Sequence, residues 1–270
     1  MGKVVLITGA SSGIGKETAL LMAKNGYIVY GAARRTERLK ELEKSGIKII
    51  SLDVTLDDSM VSCVNEIIKN EGKIDILINN AGYGEYGAVE DVAMKNAKYQ
   101  MEVNLFGLAR LIQLIVPHMR KQHFGKIVNI TSIAGKLGAP FGGWYHASKF
   151  AVEGLSDSLR LELKSFGIDV IVIEPGGVKT EWGDIAFNSL KKASENSAYK
   201  DLTEKARKMF DLTAKKGAEP IVIAKLIQKV VETRKPKARY TKGYMAKPAV
   251  LAKKWLGDAL FDKILLSQMK

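Results

Sequence analysis

The stretch Val4-Val5-Leu6-Ile7-Thr8-Gly9-Ala10-Ser11-Ser12-Gly13-Ile14-Gly15-Lys16 decides how this chain folds. An apolar, β-branched run ends in a turn dense with glycine and hydroxyl side chains, and from residue 16 to 25 apolar residues recur at helical spacing. A buried strand that turns sharply into a helix is the expected result. Glycines there permit a tight turn and close approach to the backbone, so that the helix N-terminus can face a pyrophosphate. Their spacing is Gly-x-x-x-Gly-x-Gly rather than the commoner Gly-x-Gly-x-x-Gly. What makes Gly9, Ser11, Ser12, Gly13, Ile14 and Gly15 candidate dinucleotide contacts, and not simply a glycine-rich turn, is their place between strand and helix.

Outward from that stretch the same rhythm repeats. Val- and Ile-rich runs at 27–32, 48–54, 74–80, 126–132 and 169–175 read as strands buried on both faces. Helical spacing fills 36–45, 57–71, 97–123 and 147–166 between them. Such alternation predicts an α/β fold with a parallel sheet, helices on both sides and ligands at the carboxyl ends of the strands. No Gly/Ser/Pro-rich linker interrupts the 270 residues, so one domain is expected over 1–270. From 181 to 217 the rhythm lapses into a polar, lysine-rich stretch carrying Trp182, Phe187, Tyr199 and Phe210, the expected substrate lid. A helical run at 219–233, a possible seventh strand at 238–242 and an amphipathic segment at 247–268 complete the chain.

Composition narrows the setting. The single cysteine, Cys63, has no partner for an intramolecular disulfide and reads as a small core residue. No charged n-region followed by an apolar h-region and a small-residue cleavage site is seen at the start, so no secretory leader is expected, and no run approaches the roughly 18 apolar residues that a spanning helix needs. A soluble, cytoplasmic protein is the expectation. His118, His123 and His146 show no metal spacing with each other or with Cys63, and read as structural or surface residues. The formal charge of +13 is uneven: residues 181–270 hold 20 Lys and Arg against 10 Asp and Glu, a net +10. Such a region attracts anionic ligands, anionic lipid or nucleic acid, or is simply a solvated lysine surface. A recognition element or aromatic stacking platform for nucleic acid is missing, and no nucleic-acid partner is expected.

The second strand ends in Ala32-Ala33-Arg34-Arg35. An acidic side chain there would bond the ribose 2′-hydroxyl of NAD, whereas an arginine suits the 2′-phosphate of NADP. Arg34 and Arg35 therefore favour NADP(H) over NAD(H). Further on, Asn79-Asn80-Ala81-Gly82 closes the fourth strand, Ser132 closes the fifth, and Tyr145-His146-Ala147-Ser148-Lys149 begins 13 residues after that serine. Tyr145 and Lys149, four apart, share one helix face. A free tyrosine titrates near about 10, and a neighbouring ammonium lowers that value toward useful acid–base chemistry. Ser132 is suited to donate a hydrogen bond to a substrate oxygen as hydride arrives.

Taken together, the glycine pattern, Asn79-Asn80-Ala81-Gly82, Asn104, the Ser132 to Tyr145 spacing, Tyr145-x-x-x-Lys149 and Pro175-Gly176-Gly177 resemble the short-chain dehydrogenases/reductases over about residues 3–180. The resemblance implies a Rossmann-type doubly wound domain with a seven-stranded sheet in the order 3-2-1-4-5-6-7, a helical lid and a C-terminal helix. It implies NADP(H)-dependent interconversion of a carbonyl and an alcohol, with Tyr145 as general acid or base, Lys149 also on the nicotinamide ribose, and Asn104 holding a relay water. By the same resemblance Asp53 and Val54 go to the adenine end, and Asn80, Ala81, Gly82, Pro175, Gly176, Val178 and Thr180 to the ribose and nicotinamide. Family members usually form homodimers or homotetramers through the helices that here span 97–123 and 147–166.

The C-terminal pieces Pro236-Lys237-Ala238-Arg239-Tyr240 and Leu260-Phe261-Asp262 are similar to the hydroxysteroid and retinol dehydrogenase-like branch, which points to a lipophilic alcohol or ketone. The basic region equally suits the anionic carrier of a 3-oxoacyl thioester or an acyl-dihydroxyacetone phosphate. A redox sensor that binds NADP(H) without turnover is the non-enzymatic alternative. Leu251, Ala252, Trp255, Leu256, Ala259, Leu260, Ile264 and Leu265 form an apolar stripe opposite Lys253, Lys254, Asp258 and Lys263, so the last helix either packs on the body or across a seam between copies, or lies on an anionic membrane surface.

Overall fold

A computed structural model of the protein describes residues 2–267 and 269. Seven parallel strands, β1 (Val4–Thr8), β2 (Ile28–Ala33), β3 (Lys48–Ser51), β4 (Ile76–Asn79), β5 (Gly125–Ile130), β6 (Ile168–Pro175) and β7 (Arg239–Lys242), form one sheet. Their order is β3-β2-β1-β4-β5-β6-β7, so the winding reverses between β1 and β4 and opens a crevice above their carboxyl ends.

Alternation along each inner strand feeds two cores. On one face Val4, Leu6, Leu77, Ile127 and Val170 pack with residues of α3 (Asp57–Glu71), α5 (Gly107–Lys121) and α6 (Gly143–Leu163), among them Cys63, Leu111 and Val152. On the other, Val5, Ile7, Ile78, Val128 and Ile171 meet α1 (Gly13–Lys24), α2 (Lys40–Glu43) and α9 (Pro220–Glu232) through Met22, Leu42 and Ile227. Burial on both faces holds for the inner strands only. At the edges Lys48, Ser51 and Lys242 are exposed, because β3 and β7 each have a single neighbour.

Three segments depart from the sequence reading. The helical span 97–123 is α4 (Met94–Met101) and α5 joined by a π-helical turn, Glu102–Phe106. A side chain on Gly107 would put its Cβ 2.2 Å from the Val54 carbonyl oxygen, so the helix passes tightly over the end of β3. The span 36–45 is a 3-10 turn followed by the single turn α2, ended by Gly46 at φ 74°. The helical lid, by contrast, is as expected: two amphipathic helices, α7 (Trp182–Ala193) and α8 (Lys200–Lys216), whose Leu190 and Ala206 face inward while their lysines face water. Finally α10 (Ala246–Ser267) is broken at Gly257 (φ 68°, ψ 166°); Gln268, the end of the predicted segment, lies outside the described residues.

A cluster of charges ties α6 to the sheet. Arg239 of β7 bonds Glu153 through Nε at 2.8 Å and Asp157 through Nη2 at 2.6 Å. Lys136 reaches Glu153 at 2.7 Å and Glu174 at 3.4 Å, and the Thr131 and Thr241 hydroxyls donate to Glu153 and Glu174. Glu153 and Glu174 are buried, and each is compensated by two cations and a hydroxyl. Hydrogen bonds from Arg239 hold the Asp157 carboxyl at about 2, below its ordinary 3.8. A carboxyl so depressed stabilises the fold above 3.8 and loses that contribution as pH falls through about 2. Asp157→Asn is therefore expected to be less stable than the native chain at neutral pH and to match it near pH 2, read from urea midpoints across an acid series.

Candidate active site

Each glycine of the first turn has its own reason. Gly9 lies at φ 66°, and a Cβ there would stand 2.9 Å from the Ala81 Cα. Gly13 lies at φ 54° against the Thr180 methyl, and a Cβ on Gly15 would stand 2.4 Å from the Gly9 carbonyl oxygen. The turn is thus pressed between β4, the loop after β6 and its own helix. Thr8 fastens it: its hydroxyl accepts from the backbone N–H of Asn80 at 3.0 Å and Ala81 at 2.9 Å, while Asn80 Nδ2 donates to the Thr8 carbonyl at 3.0 Å. The sequence reading missed Thr8, although a lone hydroxyl ending an apolar strand is a visible signal.

Ser12 caps α1 in an extended conformation with no side-chain bond to the helix. The first N–H groups of α1 therefore keep capacity for an anion, as a phosphate site requires. A cavity of about 600 Å³ opens there, lined by Ser11, Ser12, Gly13, Arg38, Lys179 and Thr180 among others. Glycine cradle, free helix N-terminus and cations together fit the pyrophosphate of a dinucleotide. Arg38 and Lys179 were not singled out from the sequence; they pair with Glu181 and Glu219 at 2.9 and 2.8 Å. The Ile14 side chain is partly buried and packs against the core.

Arg34 and Arg35 stand exposed just past β2, and Arg34 Nη1 donates to the Tyr99 hydroxyl at 2.6 Å. Past β3, the Asp53 carboxylate accepts from the Thr55 N–H and hydroxyl at 3.0 and 2.8 Å, and Val54 is buried. On the far side of the crevice, Gly176 and Gly177 donate their N–H groups to the Lys242 and Tyr244 carbonyls, both at 2.9 Å. Val178 packs on the core, and Thr180 meets Gly13, closing the cleft across the glycine turn.

The four candidate catalytic residues converge from three elements. Asn104 sits buried in the π-helical turn, where Nδ2 donates to the Tyr83 carbonyl at 2.9 Å and the Ser148 hydroxyl at 3.0 Å, and Oδ1 accepts the Tyr83 N–H at 3.0 Å. A π-turn re-aims one side chain in an otherwise regular helix, a device common at functional sites. A Cβ on Gly82 would stand 3.1 Å from Asn104 Oδ1 and 3.7 Å from Lys149 Nζ, so a side chain there would crowd the place where these groups meet. Lys149 Nζ donates to the Ile130 carbonyl at 2.9 Å. Ser132 donates to the Pro175 carbonyl at 3.3 Å and accepts the Ala134 N–H at 3.1 Å.

Burial lowers Lys149 to about 8, with the Glu153 carboxylate acting in the opposite direction. Burial also pushes the Tyr145 phenol up to about 12, opposed by a hydrogen bond with Ser132. The expectation that Lys149 lowers Tyr145 is not met in this arrangement. Its ammonium, 5.7 Å from the phenol ring centre, is directed at the Ile130 carbonyl, and burial is the largest influence on the phenol. What desolvates the phenol is an aromatic nest: Trp182 and Tyr86 lie 5.0 and 5.8 Å from the Tyr145 ring, and Phe210 stacks edge-on against Tyr86 at 5.6 Å. Tyr86, the centre of that nest, carries no motif and was not anticipated. His146, next in sequence, turns away and places Nδ1 3.0 Å from the Ala134 carbonyl.

The chain matches the short chain dehydrogenase family model over residues 3–188. It is 37% identical over 265 residues to a 3-ketodihydrosphingosine reductase of Bacteroides thetaiotaomicron, covering 97% of this chain and 96% of that protein. An NADPH-dependent 3-dehydrocapnine reductase of Ornithobacterium rhinotracheale is 33% identical, covering 99% and 98%. A solved short-chain dehydrogenase from Streptomyces avermitilis superposes with a TM-score of 0.78 at 34% identity, covering 89% and 87%. With the sheet order, the glycine turn and the Ser132, Tyr145 and Lys149 arrangement already in place, these likenesses make the chain a member of the short-chain dehydrogenase/reductase family, an oxidoreductase.

Proposed function

We propose that this oxidoreductase uses NADPH to reduce a lipophilic ketone to an alcohol, with Tyr145 as the proton donor. The observation that carries the substrate class is the aromatic nest over Tyr145, where Trp182, Tyr86 and Phe210 offer apolar wall and little polarity to a substrate chain. The names of the Bacteroides and Ornithobacterium reductases agree with a ketone, and the second with NADPH. Bound NADPH supplies the hydride. The chain's part is placement and charge. Ser132 and Tyr145 hydrogen-bond the substrate oxygen, and Tyr145 gives up its proton as negative charge grows there. Lys149 steadies the phenolate that is left and holds the ribose hydroxyls, and Asn104 keeps the water that returns the proton. Arg34 and Arg35 take the 2′-phosphate, Asp53 and Val54 the adenine end, and the glycine turn the pyrophosphate. Phe106 and Phe150, exposed at the start of α5 and on α6, suit a dimer or tetramer seam. A cytoplasmic NADPH pool would drive reduction.

The test is NADPH oxidation with 3-ketodihydrosphingosine and retinal, set against acetoacetyl thioesters. Turnover of the lipophilic compounds is expected, slowed in Tyr145→Phe by roughly 10²–10⁴-fold with NADPH binding kept. Turnover confined to thioesters would overturn the substrate class, and NADPH binding without any turnover would overturn the enzyme itself in favour of a sensor. The rate of reduction is expected to be level below about pH 8 and to fall above it, as Lys149 loses its proton while Tyr145, raised to about 12, keeps its own. Arg34→Asp should raise the Kd for NADPH by roughly 10- to 100-fold and leave NADH nearly unchanged, measured by fluorescence titration.

A further inference from the structure

The two sides of α10 are used differently. Inward, Ala246 and Phe261 are buried, and Met269 just beyond the helix joins the cluster of Phe141, Leu190 and Ala206 that Tyr86 and Phe210 flank. Outward, Leu251 and Trp255, one turn apart before the break, are 54% and 74% exposed; Leu260 and Ile264, one turn apart after it, are 47% and 39% exposed. Leu256 and Leu266 are exposed as well. A helix with apolar residues on opposite sides is ordinarily buried on both. Six large apolar side chains exposed along one helix form a binding surface, unlike apolar residues scattered singly.

Charge says what covers them. Within α10, residues 246–267 contain 4 Lys against 2 Asp, a net +2, and the stretch before it adds the exposed Arg234, Lys235, Lys237 and Lys242. Exposed cations accompany the apolar groups: Lys254 Nζ lies 5.1 Å from the Trp255 ring centre, and Lys247 and Lys263 are exposed towards either end, while Lys253 lies over the buried Phe261 ring and pairs with Asp258. A second copy on this face would set exposed lysines against their own copies, because a two-fold contact pairs a patch with itself. Anionic lipid converts that repulsion into attraction, and tryptophan beside lysine is suited to a headgroup boundary. No helix among the described residues is long and apolar enough to cross a membrane, so the contact is a surface one.

We propose that the exposed apolar residues on the two halves of α10, Leu251 and Trp255 before the break and Leu260 and Ile264 after it, dock this protein onto an anionic lipid bilayer together with Lys254 and Lys263. The helix begins beside Gly176, where a Cβ would meet that of Ala246 at 2.8 Å, and the chain reaches the aromatic cluster of the lid by Met269. Docking there holds the substrate side of the site at the lipid surface. Delivery of a ketone from lipid rests on the substrate class proposed above; docking itself does not.

Cosedimentation of the full chain with phosphatidylcholine vesicles, with and without phosphatidylglycerol, tests it. Binding is expected to the phosphatidylglycerol vesicles alone, and to weaken with salt. The exposed-site variant L251S/W255S/L260S/I264S should lose at least about tenfold in partition while keeping its turnover of a short water-soluble ketone. K254E/K263E, at two exposed positions, should lose binding to a similar degree and guards against misfolding of the first variant. Absence of native binding, binding undiminished in both variants, or a native dimer that L251S/W255S/L260S/I264S converts to monomer without any vesicle binding would overturn the proposal. Vesicle binding without turnover of any lipophilic ketone would instead count against the substrate class and leave docking standing.

Discussion

Lys149 takes an amine into the interior, where its Nζ finds the Ile130 carbonyl at 2.9 Å and the Glu153 carboxylate one helical turn further along α6. An ammonium withdrawn from water costs several kcal/mol unless charge and hydrogen bonds compensate it. The compensation is organised along a single helix face. Tyr145, Lys149, Glu153 and Asp157 recur every four residues, so phenol, amine and two carboxylates form one stripe. Arg239 of β7 and Lys136 of the loop after β5 clamp its far end. A helix that is held in this way presents its first two members to the crevice with little freedom.

The sheet supplies the rest of the precision. Thr131 and Glu174, both in the buried charge cluster, immediately precede Ser132 and Pro175, which meet at 3.3 Å above the ends of β5 and β6. Residues that carry charge for stability are therefore sequence neighbours of residues placed at the site. The π-helical turn does the equivalent on the other side of α6, bringing Asn104 to Ser148 at 3.0 Å. In both cases the backbone is anchored one residue away from the group it offers.

Much of this was legible from local pattern. The glycine turn, the alternating inner strands and the Tyr145 and Lys149 spacing each lie within a few residues, and short-range geometry decides what they form. Edge burial was misjudged because β3 reads like its neighbours, and only its place in the sheet exposes Lys48 and Ser51. The lid looked polar because its lysines outnumber its inward leucine and alanine, and helical phase separates the two sets. Tyr86 escaped notice since nothing near it in sequence marks it; its partners are Tyr145, Trp182 and Phe210.

By itself the amino-acid sequence determined the strand and helix rhythm, the glycine turn and the identity of the groups on one face of α6, because these depend on side-chain periodicity and on conformations that single residues allow. Tertiary structure alone decided which way Lys149 points, how high the Tyr145 phenol is driven and which side of α10 stays in water. Desolvation and coverage are set by residues tens to over a hundred positions away, and no local pattern records who those neighbours are.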